Sequence, residues 1–547
     1  FLRPLGLRLK RNKLLSLLLV GAMTVSMLAG CGSKAETGSG QAAEGTQAAS
    51  QEAGGAESAA AESTENPTIT FMCIDIYGKA MGNVGSEDVL KAAEDYTGIN
   101  VDFNWVANDS YSDILGVTLM DKANMPMVIT YGSDLGANIV QAAKDGAFWD
   151  LNDFVWDEEK YPNLSKMNEN VCKAFTVDGQ LVGVYRSRPI GRNGLGYRAD
   201  WAEKLGLEEP KTIEDIYNMM YQFTYGDPDG NGKDDTYGLC MCKYTGPLDI
   251  IQAWFGAGNQ WKEVDGKLVP VHQTEEYLEA LKWMKKMYDD GLIYKDWATR
   301  ETNTWTDGVK NGECGMFLDV LDNSRRIWDY FETEGIPSVT GEGNASMKLI
   351  GGIAAEEGGE PHTLATSGAA GCFLITKAGA KTEQDVENCL TYLDKMNDED
   401  MRILADYGLE GRDHEINEEG YIVDLLADKE IQEKPEIGLN QSVAYVPDLP
   451  DMKTVEKSDR LIEEEAIKAA NVDIAVFNPA SGYLVSSKIN AEVGTDLKDI
   501  LDRARTQYIC GQIDENGLQE QFKVWEQRGG ADLITEINEM YQADQTK

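Results

Sequence analysis

Histidine is nearly missing. The 547 residues hold three, His272, His362 and His414, scattered along the chain. A Ser–His–Asp triad or a histidine-rich zinc site has little material here, and neither G-x-S-x-G nor H-E-x-x-H occurs. Positive charge is also scarce. Lys and Arg number 50 against 93 Asp and Glu, a net charge of −43. Such a surface repels DNA, RNA and anionic headgroups over a screened range of roughly 8–10 Å, which argues against nucleic acid as a partner. The stretch "GRNGLG" at 191–196 lacks the P-loop lysine and a strand–helix frame, so it does not read as a phosphate cradle. Close cysteine pairs are few: Cys240 and Cys242 sit at i, i+2 on one strand face, and no second pair completes a zinc site. Cys73, Cys172, Cys314, Cys372, Cys389 and Cys510 are dispersed and read as buried thiols. No 20–50-residue repeat is present, and no apolar run beyond residue 30 is long enough to span a bilayer.

What is present begins with a leader. The basic "RLKRNK" precedes the apolar "LLSLLLVGAMTVSMLAG", which ends at Cys31. That order is a secretory signal over residues 1–30. Leu28-Ala29-Gly30-Cys31 resembles a bacterial lipobox, which implies cleavage before Cys31, lipid on its thiol and a membrane anchor. Losing the five basic residues of the leader takes the net charge from −43 to −48. Residues 32–66 contain no aromatic and no Leu, Ile, Val or Met. They cannot bury enough apolar surface to offset ordering entropy and read, from Cys31 on, as a disordered tether.

From Pro67 the pattern alternates. "TITFMCIDIYG", "INVDFNWV" and "MPMVITYGSD" read as strands, with helices over "SEDVLKAAEDYTG" and 109–123 between them. This is the signature of an α/β fold with a parallel sheet, whose ligands bind beyond the carboxyl ends of the strands. The loops at 77–83 and 131–134 then line a site, with Tyr77 and Tyr131 as candidates. Apolar stripes predict helices in "PKTIEDIYNMMYQF", capped by Thr212 with Asp215, in "EEYLEALKWMKKMYDDG" and in "GTDLKDILDRARTQYICG". Residues 227–238, "DPDGNGKDDTYG", alternate oxygen donors around a central glycine. Asp227, Asp229, Asn231, the Lys233 carbonyl and Asp235 stand at the spacing that wraps a loop round Ca²⁺, with Gly238 where an EF-hand has glutamate and a strand following. An Asx-rich turn without metal is the other reading.

The run of "DGQLVGV", "YRADWAEKLGLEEPKT" and the 227–238 loop, with "MKKMYDDGLI", "GVKNGECGMF", "ICGQID" and "WEQRGGADLITEINEMY" after it, resembles the large extracellular solute-binding proteins of family 1. Within that family it is closest to the lipoprotein and calcium-containing alginate-oligosaccharide binders. The resemblance implies a two-lobed, periplasmic-binding-protein-like α/β fold (type II) with discontinuous lobes joined by a hinge. Lobe one is expected over 67–188 with 372–440, and lobe two over 192–366 with 441–547. It implies a monomer, not an enzyme, that delivers a carbohydrate to an ABC importer with a permease pair and a separate ATPase. The calcium ligands carry over onto the five positions above; many relatives have an acidic residue where this chain has Thr236. Pocket residues are chosen by chemistry, since aromatic rings match the C–H faces of sugars. Trp254 and Trp261 in "QAWFGAGNQW" and Trp305 in "RETNTWTDG" are candidates, with lobe packing as the alternative. Trp201 reads as a buried helix start. Arg186, Arg188, Arg192 and Arg198 cluster at the expected first hinge crossing; Arg186 and Arg192 are candidates for a sugar bearing carboxylate or sulfate, and Arg198 for an internal salt bridge. A binder of peptides or other small solutes, and a secreted glycan-active enzyme, remain open alternatives.

Overall fold

The computed structural model describes residues 66–132 and 135–546. The expected leader and tether, with the lipidation site at Cys31, lie outside these residues, as do positions 133–134 of the second candidate loop.

Strands β1 (Thr68–Asp75), β2 (Asn100–Ala107), β3 (Val128–Tyr131) and β4 (Gly183–Ser187) belong to a first sheet. A second sheet holds β5 (Asn193–Arg198), β6 (Tyr237–Cys240), β7 (Cys314–Val320) and β8 (Met347–Ile350), in the order β8-β5-β7-β6. The chain then returns to the first sheet as β9 (Ala369–Ile375), which inserts between β3 and β4 to give β2-β1-β3-β9-β4. The β1–β2 and β1–β3 pairs are parallel, and β9 runs against both β3 and β4. In the second sheet β7 is parallel to β6 and antiparallel to β5.

Each sheet has its own core. Residues from Ile69 to Tyr185 and from Ala369 to Val446 pack around the first sheet. Residues from Leu195 to Ile353, with Ala504, Tyr508, Ile509, Leu518 and Phe522, pack around the second. The protein is thus two-lobed, with lobes built from interleaved stretches of chain. A smaller cluster joins Trp261 and Leu268 to Ala480, Leu497, Trp525 and Ile537.

The helices follow their sequence signals. Helix α1 (Ser86–Thr97) stops at Gly98, whose φ of 72° is the left-handed conformation that glycine adopts freely. Helix α2 (Ile213–Tyr225) starts with the full capping box, Thr212 and Asp215 satisfying each other's backbone N–H. Helix α3 (Gly246–Trp254) follows β6, and α4 (Glu275–Asp289) has Thr274 as its cap. Two expectations shift. The helix foreseen over 109–123 is α-helical only over Tyr111–Thr118. The last helix begins before the expected Gly494: α5 (Lys488–Ile509) starts where the Ser487 side chain accepts from Asn490 N–H. None of the eight cysteines from Cys73 to Cys510 is in a disulfide, and all but Cys510 are buried. Among the described residues no helix is long and apolar enough to cross a membrane.

Candidate ligand-binding site

Register fixes where the two sheets end. Tyr131 pairs with Cys372, and Cys372 with Tyr185. The carboxyl ends of β1, β3 and β4 therefore share one edge of the first sheet. In the second sheet Val320, at the end of β7, pairs with Asn193, at the start of β5, and β6 runs parallel to β7. The chain crosses between these two edges at 187–193 and returns at 364–369. The crossings are tied together: Arg188 N–H donates to the Gly368 carbonyl at 2.9 Å and Thr366 N–H to the Ile190 carbonyl at 3.1 Å. The carboxyl ends of both sheets thus face the same crossing strands, the position at which α/β sheets present ligand-binding loops.

On the first edge, Asp75 ends β1 and its carboxylate accepts from the N–H of Tyr77 at 3.0 Å and of Gly78 at 2.7 Å. This turn fixes the half-buried Tyr77 at the rim. The Tyr131 hydroxyl accepts from Gly136 N–H at 3.1 Å. Arg186 lies one residue beyond the Tyr131–Cys372–Tyr185 row, with its guanidinium 5.9 Å from the Phe373 ring centre. Its Nε is shut off from solvent without a hydrogen-bond partner. Burial lowers the Arg186 pKa from its ordinary value. Tyr445, which sequence reasoning passed over, belongs here too. Its hydroxyl donates to Asp406 at 2.7 Å, and burial, followed by the Asp406 charge, pushes the phenol well up.

On the second edge Arg192 is engaged. Its Nε and Nη2 hold both oxygens of the buried Asp322, at 2.7 and 2.8 Å. Burial alone would raise the Asp322 carboxyl, but the Arg192 hydrogen bonds hold it below its usual range. Arg192 is therefore part of the wall and not a vacant anion receptor. Arg198 forms the expected internal pair with Asp200, two bonds of 2.8 Å within the core. Trp305 is 6% exposed, with its indole N–H donated to the Cys240 carbonyl at 2.9 Å. The ring that reaches solvent is Tyr244, packed edge-on to Trp305 at 5.8 Å and 48% exposed. Its signal was its place after "GLCMCK", at the carboxyl end of a strand. Nearby Asp319 has its carboxyl raised by burial and accepts from Asn323 at 2.8 Å.

A family model described as bacterial extracellular solute-binding protein matches residues 79–394, more than half the chain. The chain belongs to this family. Among curated relatives, Lipoprotein LipO of Bacillus subtilis (strain 168) is 35% identical over 466 residues, covering 83% of this chain and 88% of LipO. The polygalacturonan/rhamnogalacturonan-binding protein YtcQ of the same organism is 30% identical over 456 residues, covering 83% and 87%. Among solved structures, an HMO-binding, ABC-transporter-associated solute-binding protein from Bifidobacterium longum infantis ATCC 15697 aligns with a TM-score of 0.61 at 17% identity, over 88% of this chain and 99% of that one. That likeness speaks to the fold, which is two-lobed in this solute-binding protein as well.

Two tryptophans expected at the binding site of this solute-binding protein lie elsewhere. Trp254 ends α3 facing inward at 1% exposure among Leu248, Ile250 and Ile251, and its indole N–H has no partner. It is a core residue, because the apolar stripe of α3 continues through it. Trp261 opens the hairpin of Trp261–Val264 and Lys267–Pro270 and packs at 5% exposure in the cluster with Trp525 and Leu533.

The 227–238 loop lies between α2 and β6, the helix–loop–strand arrangement foreseen from the sequence. Gly232 has φ of 75° at the turn, and its N–H donates to Asp227. That bond holds the Asp227 carboxyl below its ordinary range. Asn231 Nδ2 stands between Asp229, at 2.5 Å, and Asp235, at 3.1 Å. A partly positive donor so placed gathers two carboxylates as a cation would. Among the described residues no three His, Cys, Asp or Glu converge as a metal cluster. The Thr236 hydroxyl is committed to the Phe223 carbonyl at 2.8 Å, so it supplies no oxygen to the loop. With three carboxylates, an amide and the Lys233 carbonyl, the donor chemistry fits a hard cation.

Proposed function

We propose that this solute-binding protein is a receptor and not a catalyst. Held at the outer face of the membrane by lipid on Cys31, it closes its lobes on an oligosaccharide. It then passes the ligand, unaltered, to an ABC importer built from a permease pair and a separate ATPase. The observation that carries this reading is the pair of strand edges opposed across tied crossing strands, bearing Tyr77 and Arg186 on one side and Tyr244 on the other. Aromatic faces match sugar C–H surfaces, and the phenol and guanidinium groups bond the hydroxyl rim. Similarity to YtcQ, a polygalacturonan/rhamnogalacturonan-binding protein, and to the HMO-binding Bifidobacterium protein supports a glycan ligand. We place lobe one at 67–188 with 369–446 and lobe two at 192–366 with 447–547; the break lies later than the expected 440 because Val443, Ala444 and Val446 pack in the first core. The protein works as a monomer.

Ca²⁺ belongs to this reading as a structural clip. Asp227, Asp229, Asn231, the Lys233 carbonyl and Asp235 would hold it. The ion supplies charge neutralisation, pinning α2 to β6 on the far side of lobe two's chemistry.

A thermal-shift screen against neutral and acidic oligosaccharides, peptides and monosaccharides tests the proposal, with calorimetry on the hits and mass spectrometry of the recovered ligand. Oligosaccharides should raise Tm and return with their mass intact. Stabilisation by peptides alone, or recovery of cleaved glycan, would sink the receptor reading.

A further inference from the structure

Arg186 differs from the arginines around it. Arg192 and Arg198 each hold an aspartate through two hydrogen bonds. Among the described residues Arg186 forms no ion pair, and its Nε is buried without an acceptor. Arg186 is half-buried, and a guanidinium partly withdrawn from water with no counter-ion is costly. The chain has 93 acidic residues from which to provide one. The charged neighbour that acts on it is Arg188, of like sign. The other groups facing it are not anions at neutral pH. The Cys73 thiol is pushed up to about 12 by burial, and the Tyr445 phenol is pushed well up as well. Phe373 presents a ring face, and Tyr77 a phenol. The nearby acids have other work: Asp75 closes the turn at Tyr77 and Gly78, and Asp406 accepts from the Tyr445 hydroxyl.

We infer that Arg186 is an anion-recognising subsite of the interlobe groove, and that the oligosaccharide carries a carboxylate or a sulfate ester which this guanidinium receives. The inference rests on the oligosaccharide reading and deepens it. A planar fork of N–H donors pairs bidentately with either group, whereas a neutral sugar offers neither the opposing charge nor two coplanar acceptor oxygens. The neighbouring Tyr77 supplies a ring for the sugar that bears the charge.

The test is calorimetry with three probes: a galactose trimer, a galacturonate trimer and a galactose trimer bearing one sulfate ester. The wild-type protein should bind an acidic probe at least about 30-fold more tightly than the neutral one, the fold-change of one charge-assisted hydrogen bond. Its affinity should fall as salt rises, and whichever acidic probe binds better identifies the group. Arg186→Gln should erase the preference, and Arg186→Lys should restore part of it, charge without the fork. Circular dichroism checks that both variants fold, and the wild-type comparison stands without them. Equal or tighter binding of the neutral trimer overturns the inference and leaves the oligosaccharide reading in place. An acidic preference unchanged in Arg186→Gln overturns the assignment to this residue. Failure of all three probes, with other saccharides also silent, overturns both.

Discussion

Gly371 places a backbone constraint at the rim of the groove. It sits in the bulge of β9 between Ala369 and Cys372, with φ of 90°. A methyl there would run into the Tyr131 carbonyl and Gly132. Gly371→Ala is expected to cost at least about 2 kcal/mol, from the left-handed backbone and the displaced β3 edge together. Urea denaturation measures this, and an unchanged midpoint would contradict it. His272 shows a second residue-level effect. It is 4% exposed, 4.4 Å from the Trp525 ring and 5.1 Å from Phe522, with neither ring nitrogen hydrogen-bonded. Burial pushes its pKa down to about 3. The unfolded chain then binds a proton that the native protein does not, between pH 6.5 and 3. Stability from this group is complete above pH 6.5 and falls by up to about 1.4 kcal/mol per unit as pH drops through that window. Buried carboxylates with raised pKa values, such as Asp394 and Asp406, act in the opposite sense. The informative quantity is therefore the difference between wild type and His272→Leu, whose pH 7.5-to-5.5 loss of stability should be smaller. Parallel curves would remove the assignment. At this scale the sequence was least legible. Trp254 and Trp305 lie in polar or glycine-flanked stretches that suit exposure, yet both rings turn inward, while the accessible Tyr244 stands in a stretch with no aromatic emphasis. Which side of a loop a ring faces depends on tertiary packing that composition does not encode.

Elements were read more reliably, because their signals are local. The Thr212–Asp215 box, the stop at Gly98 and the strand after the 227–238 loop are each set by a few adjacent residues. The stretch of α5 before Gly494 escaped because a glycine inside a helical pattern weakens the signal, although Ile489 and Val493 continue the stripe to Leu497 and Ser487 caps the start. The 227–238 loop supplies the prediction at this level. With a dissociation constant around 10⁻⁴ M and about 1 mM Ca²⁺, binding would stabilise the protein by about 1.4 kcal/mol. Calcium should raise Tm, and a chelator should reverse the rise. Asp229→Ala should abolish the response while leaving the calcium-free Tm close to wild type, since the half-buried Asp229 bonds to Asn231 within the same loop. A normal calcium response in that variant would exclude the site.

For the whole molecule, strand–helix alternation was enough to place parallel strands at the start of the chain, but not to reveal that β9 returns to the first sheet after the second is complete. That long-range insertion follows from family resemblance, since nothing in the local pattern of Ala369–Ile375 distinguishes its partners. The consequence is mechanical. The crossings at 187–193 and 364–369 are bonded to each other, and the Asn471 amide donates to the carbonyls of both Gly191, at 2.9 Å, and Asn193, at 3.0 Å. Two lobes joined at these crossings and by the third passage after Val446 can change their relative angle through a few backbone torsions without disturbing either core. Saturating oligosaccharide should therefore reduce the radius of gyration in small-angle scattering while far-ultraviolet circular dichroism stays constant. Asn471→Ala, which frees two buried carbonyls, should lower stability by about 1–3 kcal/mol and broaden the range of ligand-free shapes. If calorimetry registers tight binding and the scattering profile does not move, the lobes do not close on their ligand, and the groove works as a rigid trough instead.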